Sequence, residues 1–335
     1  MVMAPERTNG RRSATRRTSG MNNAVFSETF EKIRENCEKV IQGKAHQIRM
    51  VLTAMIADGH VLLEDMPGTG KTMMARAIAQ SIDASVNRLQ CTPDLLPSDV
   101  TGSPIFDQVR QEFSFREGPV FANILVVDEI NRATPKTQSS LLEAMQERRV
   151  TVDKHTYDLP KPFLVLATQN PVELAGTFPL PEAQLDRFLL KTSVGYPDLE
   201  AELRVLAAHH TGEDLSSVRQ VTTADDVRRL VGVASRAHVS DMVMRYVAEL
   251  VQFTRSMPQL RLGASPRGAL GLLRASRVRA ALQGRPYVVP GDVQALAGPV
   301  LGHRVLLAPA YESVGGTSLD AVREAIAAVP APPRV

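Results

Sequence analysis

Short apolar runs alternate with stretches of helical periodicity over the first two thirds of the chain. Residues 60–65, 124–128 and 163–168 are apolar runs of strand length, and the last two are typical of parallel strands covered on both faces. Residues 85–90 and 189–194 continue the series. Strands that alternate with helices predict a parallel sheet with helices on both faces, which is the α/β class.

Two stretches interrupt this alternation. Residues 102–118 are polar with isolated aromatic side chains, among them Phe113 and Phe115. Residues 148–160 alternate between apolar and polar positions in the manner of a strand pair. We interpret both stretches as insertions into the α/β core and the second one as a hairpin.

The pattern becomes helical after Tyr196. Six segments there have helical periodicity, and Thr223, Ser240 and Ser265 are good N-cap residues for three of them. The segments are residues 199–210, 223–233, 240–254, 266–282, 291–301 and 318–328. We predict four parts: a disordered tail (1–21), an α/β domain (22–197), a smaller all-helical domain (198–329) and a frayed C-terminus (330–335).

Composition narrows the class of protein. The chain has 335 residues, 44% hydrophobic and 22% charged, which suits a globular protein of two domains. No apolar run approaches the ~18–20 residues that span a bilayer, and the first twenty residues lack the apolar core of a secretory signal. We therefore expect a cytoplasmic protein. Cys37 and Cys91 lie outside any metal-binding pattern, so we expect both to be buried apolar residues.

The positive charge is concentrated in one segment. The chain carries a net charge of +3, yet its first twenty residues hold five arginines and one acid, so the rest is close to neutral. This tail contacts either a nucleic acid or anionic surface, or only solvent, and solvation is the simpler interpretation. A near-neutral body argues against a nucleic-acid partner.

Residues 65–72 read DMPGTGKT and match the phosphate-loop pattern GxxxxGK[ST] except at its first glycine. Asp65 stands at that position, and Gly68 supplies flexibility inside the loop. A strand pattern before the loop and a helix pattern after it let backbone N–H groups and a helix N-terminus face phosphates. Lys71 would reach the β- and γ-phosphates, and Thr72 would offer its hydroxyl to Mg²⁺.

Asp128 ends the apolar run at residues 124–128, and Glu129 follows it. At the carboxyl end of a strand beside the phosphate loop, Asp128 would hold Mg²⁺ largely through its water shell. Glu129 would orient or deprotonate the attacking water. An apolar strand ending in two acids is common by itself, but together with the loop it predicts hydrolysis of ATP with Mg²⁺.

Three further polar residues are candidates for the same site. Asn170 follows the strand pattern at residues 163–168, where it would orient water, sense the γ-phosphate or simply form a turn with Pro171. Arg187 lies in the string LPEAQLDRF (180–188), and Arg267 lies in ASPRG (264–268) at a predicted helix start. An arginine at that helix start could swing over the γ-phosphate when the second domain closes. By residue type alone, a surface or ion-pair arginine is the simpler interpretation of both.

Five strings, in this order, resemble the MoxR family of AAA+ ATPases. They are VLLEDMPGTGKT (61–72), DLLPSDVTG (94–102), GPVFANILVVDEINRA (118–133), ATQNP (167–171) and LPEAQLDRF (180–188). The resemblance covers about residues 30–307 and implies an AAA+ P-loop domain followed by a helical lid. It also implies that Asp65 is a tolerated variation of the loop and that both insertions face the pore or substrate side of a ring. Phe113 and Phe115 are then candidate substrate contacts, although packing of the insertion onto the domain is the simpler interpretation.

The resemblance implies a role for each matching residue. The nucleotide would be held by Val40, Ile41, Gly43, Pro67, Gly68, Thr69, Gly70, Lys71 and Thr72, the first three beside the adenine. Thr72 and Asp128 would hold the magnesium. Catalysis would involve Glu129, Asn170 as first sensor, Arg187 as an arginine finger that reaches a neighbouring subunit, and Arg267 as second sensor in the lid.

The resulting hypothesis is a ring ATPase, a hexamer, that remodels or matures a partner protein. By resemblance the partner often carries a von Willebrand A domain, and in some cases metal is inserted into it. A metal-chelatase-type ATPase subunit or a nucleic-acid motor is the alternative, and a non-enzymatic nucleotide-binding scaffold is a third. Intact Lys71, Asp128, Glu129 and Arg187 speak against the scaffold.

Overall fold

The computed structural model describes residues 23–64, 69–109, 111–170, 176–196, 199–200, 202–203 and 215–333. The predicted tail, the predicted boundary at residue 197 and most of the predicted helix at 199–210 lie outside these residues. Two helices open the described chain, α1 (Asn23–Glu38) and α2 (Ala45–Ile56).

A five-stranded sheet forms the centre of the fold, in the order β2-β5-β8-β1-β9, and all of its neighbouring strands are parallel. The strands are β1 (Val61–Glu64), β2 (Val86–Gln90), β5 (Ile124–Asp128), β8 (Leu164–Gln169) and β9 (Leu190–Thr192). Between them lie α3 (Lys71–Ser81), α4 (Pro97–Thr101), a 3-10 turn (Ile130–Arg132), α5 (Pro135–Glu147) and α6 (Glu182–Leu185). The predicted α/β class is therefore confirmed.

β5 is buried at every position, as its continuous apolar run predicts. Ile124 and Val126 face one hydrophobic cluster, whereas Leu125 and Val127 face the other. Helices therefore cover both sides of the sheet. α5 begins at Pro135, because Thr134 caps the helix and proline fits its first turn.

Both interruptions are antiparallel hairpins. The first pairs β3 (Gly102–Asp107) with β4 (Glu112–Glu117), and the second pairs β6 (Arg149–Val152) with β7 (His155–Asp158). Phe115 of the first hairpin stacks on Tyr157 of the second, with ring centroids 4.2 Å apart. The two hairpins therefore support each other through an aromatic contact.

The C-terminal region is helical. It contains a 3-10 turn (Leu215–Ser217) and the helices α7 (Ala224–Ser235), α8 (Asp241–Thr254), α9 (Pro266–Leu282), α10 (Pro290–Leu301), α11 (Pro309–Glu312) and α12 (Ser318–Ala328). A small antiparallel pair, β10 (Leu260–Leu262) and β11 (Leu306–Leu307), accompanies them.

These helices share one hydrophobic cluster with α1, α2 and α3 on one face of the sheet. α9 contacts α1, α2, α7 and α8, and α10 contacts β9. The helical region is therefore packed directly against the α/β region. Among the described residues, no helix is long and apolar enough to cross a lipid bilayer.

Candidate nucleotide-binding site

A pocket of about 430 Å³ lies where β1, β5 and β8 end, and the described part of the phosphate loop lines it. Thr69, Gly70, Lys71 and Thr72 contribute to this lining, whereas Pro67 and Gly68 lie outside the described residues. Gly70 has φ +82° as the residue before α3, a left-handed conformation that glycine adopts without strain. We call this cavity the phosphate pocket.

Both predicted acids line the phosphate pocket at the carboxyl end of β5. Asp128 is the last residue of the strand, and its side chain is only 12% exposed. Glu129 follows in a left-handed backbone conformation, φ +55°, and its N–H donates to Thr168 Oγ1 at 2.9 Å. This conformation is uncommon for a residue with a side chain, and here it turns the chain directly after β5, where Glu129 lines the phosphate pocket.

Side chains of the neighbouring strand β2 hold both acids. Arg88 Nε donates to Asp128 Oδ2 at 2.7 Å, and Gln90 Nε2 donates to Glu129 Oε2 at 3.1 Å. Arg132 Nη1 donates to the same Glu129 oxygen, also at 3.1 Å. Hydrogen bonds from side chains of the same chain therefore hold both carboxylates.

The oxygen donors of the phosphate pocket fit a magnesium ion. Thr72 and Asp128 face one cavity, and Mg²⁺ prefers such hard oxygen ligands while it keeps several waters and phosphate oxygens. Within the described ranges, no cluster of three or more His, Cys, Asp or Glu side chains offers an all-protein metal site. A metal here would thus need the phosphates as ligands, as the predicted chemistry requires.

Asn170 also lines the phosphate pocket, directly after β8, as its position in the sequence predicts. Cys91, directly after β2, is buried nearby. Burial, helped by the charges of Asp128 and Glu129, raises the pKa of the Cys91 thiol to about 12. It is therefore a neutral packing residue rather than a nucleophile, and Cys37 is likewise buried.

A second pocket, of about 580 Å³, contains both Arg187 and Arg267. Four more arginines line it, and Asp58 and Asp186 are its acids. Asp58 lies 3.1 Å from Arg148, and Asp186 lies 2.8 Å from Arg304. We call this cavity the arginine pocket, since its cations outnumber its carboxylates by far.

The two pockets lie at opposite ends of β1. Gly59 and His60, which precede the strand, line the arginine pocket, whereas Lys71, which follows it, lines the phosphate pocket. Arg267 Nη2 donates to Gln146 Oε1 at 3.1 Å, near the end of α5. Arg267 and Arg187 therefore line the same pocket. An arginine that closes over the nucleotide of its own chain would instead lie at the phosphate pocket.

His60 stabilises the floor of the arginine pocket. Its Nδ1 accepts the Val165 N–H at 2.9 Å, and its Nε2 lies 3.0 Å from the Met145 carbonyl. Burial, and next the charge of Arg148, lowers the pKa of His60 well below its usual value. Protonation at Nδ1 would also break the bond to Val165, so the ring stays neutral in the folded protein.

The predicted adenine contacts lie apart from the phosphate pocket. Val40 and Ile41 follow α1 and pack against the hydrophobic cluster that α1–α3 share with the C-terminal helices. Gly43 is exposed with φ +71°, in the turn before α2. None of the three lines the phosphate pocket, so their adenine role stays a prediction.

Sequence reasoning missed Arg76, Arg88 and Gln90, which line the phosphate pocket. Arg88 and Gln90 are two residues apart on a strand and therefore project to the same side. That spacing could have indicated two polar side chains on one face of β2, but only the strand order of the folded sheet shows that β2 lies beside β5. The fold and this site together define a P-loop nucleotide-binding protein.

Two family models match the chain. The ATPase family associated with various cellular activities (AAA) matches residues 60–190, and the AAA lid domain matches residues 252–325. A crystal structure of a candidate ATPase from Cytophaga hutchinsonii superposes with a TM-score of 0.87 at 35% identity, covering 93% of this chain and 97% of that one.

Named relatives are similar over most of the chain. Chaperone MoxR1 of Mycobacterium tuberculosis is 41% identical, covering 85% of this chain and 77% of its own. Protein MoxR of Paracoccus denitrificans is 34% identical, with 88% and 93% covered. The uncharacterised protein YeaC of Bacillus subtilis is 48% identical, with 89% and 93% covered. The chain therefore belongs to the MoxR family of AAA+ ATPases.

Proposed function

We propose that this protein hydrolyses ATP with Mg²⁺. The phosphate pocket carries the proposal, because Lys71, Thr72, Asp128, Glu129 and Asn170 all line it. Lys71 and the loop backbone bind the phosphates, and Thr72 and Asp128 hold the metal. The metal, when bound, neutralises charge on the β- and γ-phosphate oxygens.

Glu129 has the position and the hydrogen bonds of a residue that orients the attacking water. Asn170, at the adjacent strand end, completes the polar wall on which the γ-phosphate and water are aligned. Such positioning, rather than covalent chemistry, supplies most of the acceleration in phosphoryl transfer.

We further propose that each active site is completed by a neighbouring subunit in a hexameric ring. Arg187 and Arg267 lie at the opposite end of β1 from the phosphate loop, so one rigid subunit does not bring them to its own nucleotide. They fit the nucleotide of the next subunit, where both would stabilise charge on the transferring phosphoryl group. This changes our expectation for Arg267, which acts across the interface in this proposal.

The work done by hydrolysis is, in our proposal, the remodelling of a client protein. The relative from Mycobacterium tuberculosis is named a chaperone. The first hairpin exposes apolar side chains, with Phe113 74% and Phe106 51% exposed, whereas Phe115 packs on Tyr157. Phe113 is therefore the better candidate for a client contact. We propose a von Willebrand A-domain protein as the client class, on the resemblance alone.

Glu129→Gln tests the hydrolysis. The amide keeps the size and the hydrogen bonds of the side chain but does not act as a base. We expect ATP affinity to change less than about threefold, while turnover falls by about 10²–10⁴, the usual contribution of a general base. Affinity is measured with a fluorescent ATP analogue, and turnover by phosphate release.

Glu143→Gln, the same substitution at an exposed position of α5, is the control and should keep wild-type turnover. Near-normal hydrolysis by Glu129→Gln would remove Glu129 from its role. A wild-type protein that binds ATP but releases no phosphate as an assembled oligomer would contradict the proposed function itself.

A further inference from the structure

Arg88 forms an ion pair with Asp128, the carboxylate that the proposed function assigns to magnesium. Its Nε donates to Asp128 Oδ2 at 2.7 Å, across the parallel pairing of β2 with β5. The two side chains differ in exposure: Asp128 is 12% exposed and Arg88 is 56% exposed. The pair thus joins a fixed, buried anion to a cation that reaches solvent.

This asymmetry determines which partner is able to move. Asp128 is held by the end of a fully buried strand, and a buried carboxylate is costly without a nearby positive charge. Arg88 lies on the outward part of β2, so it loses little when it leaves the pair and is hydrated. The ion pair balances the charge of Asp128, and its exposed partner Arg88 is easily exchanged for another cation.

Mg²⁺ and the Arg88 guanidinium both need Asp128, and two cations at one carboxylate repel each other. Arg88 Nη2 also donates to Gln90 Oε1 at 3.4 Å, and Gln90 in turn holds Glu129. Release of Arg88 would therefore change the contacts of both acids. Arg76 lines the same pocket, but no bond from it to a carboxylate is found among the described residues.

We propose that Arg88 is a positioning residue that competes with magnesium for Asp128. Arg88 holds Asp128 by its ion pair, and Arg88 would move into solvent when Asp128 binds Mg·ATP. Binding of nucleotide without metal leaves the pair intact, so the acids reach their working arrangement only when metal and nucleotide are both present. The proposal rests on the proposed function and deepens it.

The test measures how strongly Mg²⁺ promotes nucleotide binding. The readout is the ratio of the Kd for N-methylanthraniloyl-ATP in EDTA to the Kd in saturating Mg²⁺, in the full-length Glu129→Gln protein, where hydrolysis does not interfere. When Arg88→Met is added to this parent protein, Mg²⁺ no longer has to break an ion pair to reach Asp128. We therefore expect the ratio to rise by roughly fivefold, the effect of one partly exposed ion pair. Arg88→Lys keeps a cation beside Asp128 and should stay close to the parent.

Arg76→Met is the matched control. It removes a positive charge from the same pocket, so it should weaken binding equally with and without Mg²⁺ and leave the ratio unchanged. If Arg88→Met also leaves the ratio unchanged or lowers it, Arg88 is not a competitor and the inference fails. If the parent protein itself binds no nucleotide, the proposed function fails as well, so the two failures are distinguished.

Discussion

The phosphate pocket and the arginine pocket differ in charge and in completeness. The first combines Lys71 with Asp128 and Glu129, which in our proposal bind phosphates and a metal and position the attacking water. The second is lined by six arginines and two acids, both of them ion-paired, and no cluster of metal-binding side chains is found there among the described residues. Each pocket therefore has what the other lacks, which suggests that they form one site when two copies of the chain meet.

Arg187→Ala should have the largest effect on turnover among the changes that distinguish the arginine pocket from the phosphate pocket. An arginine finger contributes about 10³–10⁵ in rate, so turnover should fall at least ~10³-fold. Nucleotide affinity should stay within about twofold, because Arg187 is far from its own phosphate loop. Phosphate release and analogue binding are compared with those of Lys71→Ala, in which affinity itself is lost. Arg261→Ala, an exposed arginine outside the pocket, is the control.

Arg267→Ala should lower turnover by a smaller factor, again without weakening ATP binding to the phosphate pocket of the same chain. Loss of one donor to a developing negative charge typically costs about 10² in turnover. ATP affinity, measured on protein diluted until it is monomeric, should not change. A clear loss of affinity in the monomer would show instead that Arg267 reaches the nucleotide of its own chain.

The smallest effect concerns stability at the arginine pocket. Burial lowers the pKa of His60 in the folded protein, whereas the unfolded chain should titrate near ~6.5. Below about pH 6.5 the unfolded chain binds a proton at His60 that the folded chain excludes. The contribution of His60 to stability is therefore complete above this pH and decreases as the pH falls. The free energy of unfolding should drop by up to about 1.4 kcal/mol per pH unit for this group.

Urea unfolding between pH 7 and 5 measures this slope, and His60→Gln should reduce it. His303, also buried with a lowered pKa, contributes to both proteins and cancels in the comparison. His46→Gln, at an exposed position, controls for the loss of an imidazole. An unchanged slope in His60→Gln would mean that His60 takes up its proton in the folded protein.

Local sequence signals predicted one element of each pocket, β5 at the phosphate pocket and α9 at the arginine pocket. β5 spans the predicted residues because its apolar run ends at an acid, and α9 begins at the predicted Pro266, where Ser265 accepts the N–H of Arg267 and Gly268. These features depend on neighbouring residues only, so periodicity and capping are sufficient to find them.

Tertiary relations were beyond the reach of those signals. Arg187 and Arg267 meet because α9 packs on the α/β region, and Arg88 reaches Asp128 because β2 lies beside β5. Neither the packing nor the strand order is encoded in a local pattern. The resemblance pointed to Arg187 and Arg267 but did not show that both line one pocket at the end of β1 opposite the phosphate loop.

A mixing experiment tests the shared site most directly. Lys71→Ala subunits have an intact arginine pocket, and Arg187→Ala subunits have an intact phosphate pocket, while each alone should be nearly inactive. Our account predicts that mixed rings regain phosphate release well above the sum of the two separate preparations, because some interfaces then combine two intact halves. Activity that stays at that sum, in oligomers shown to contain both subunits, would contradict a site shared between neighbours.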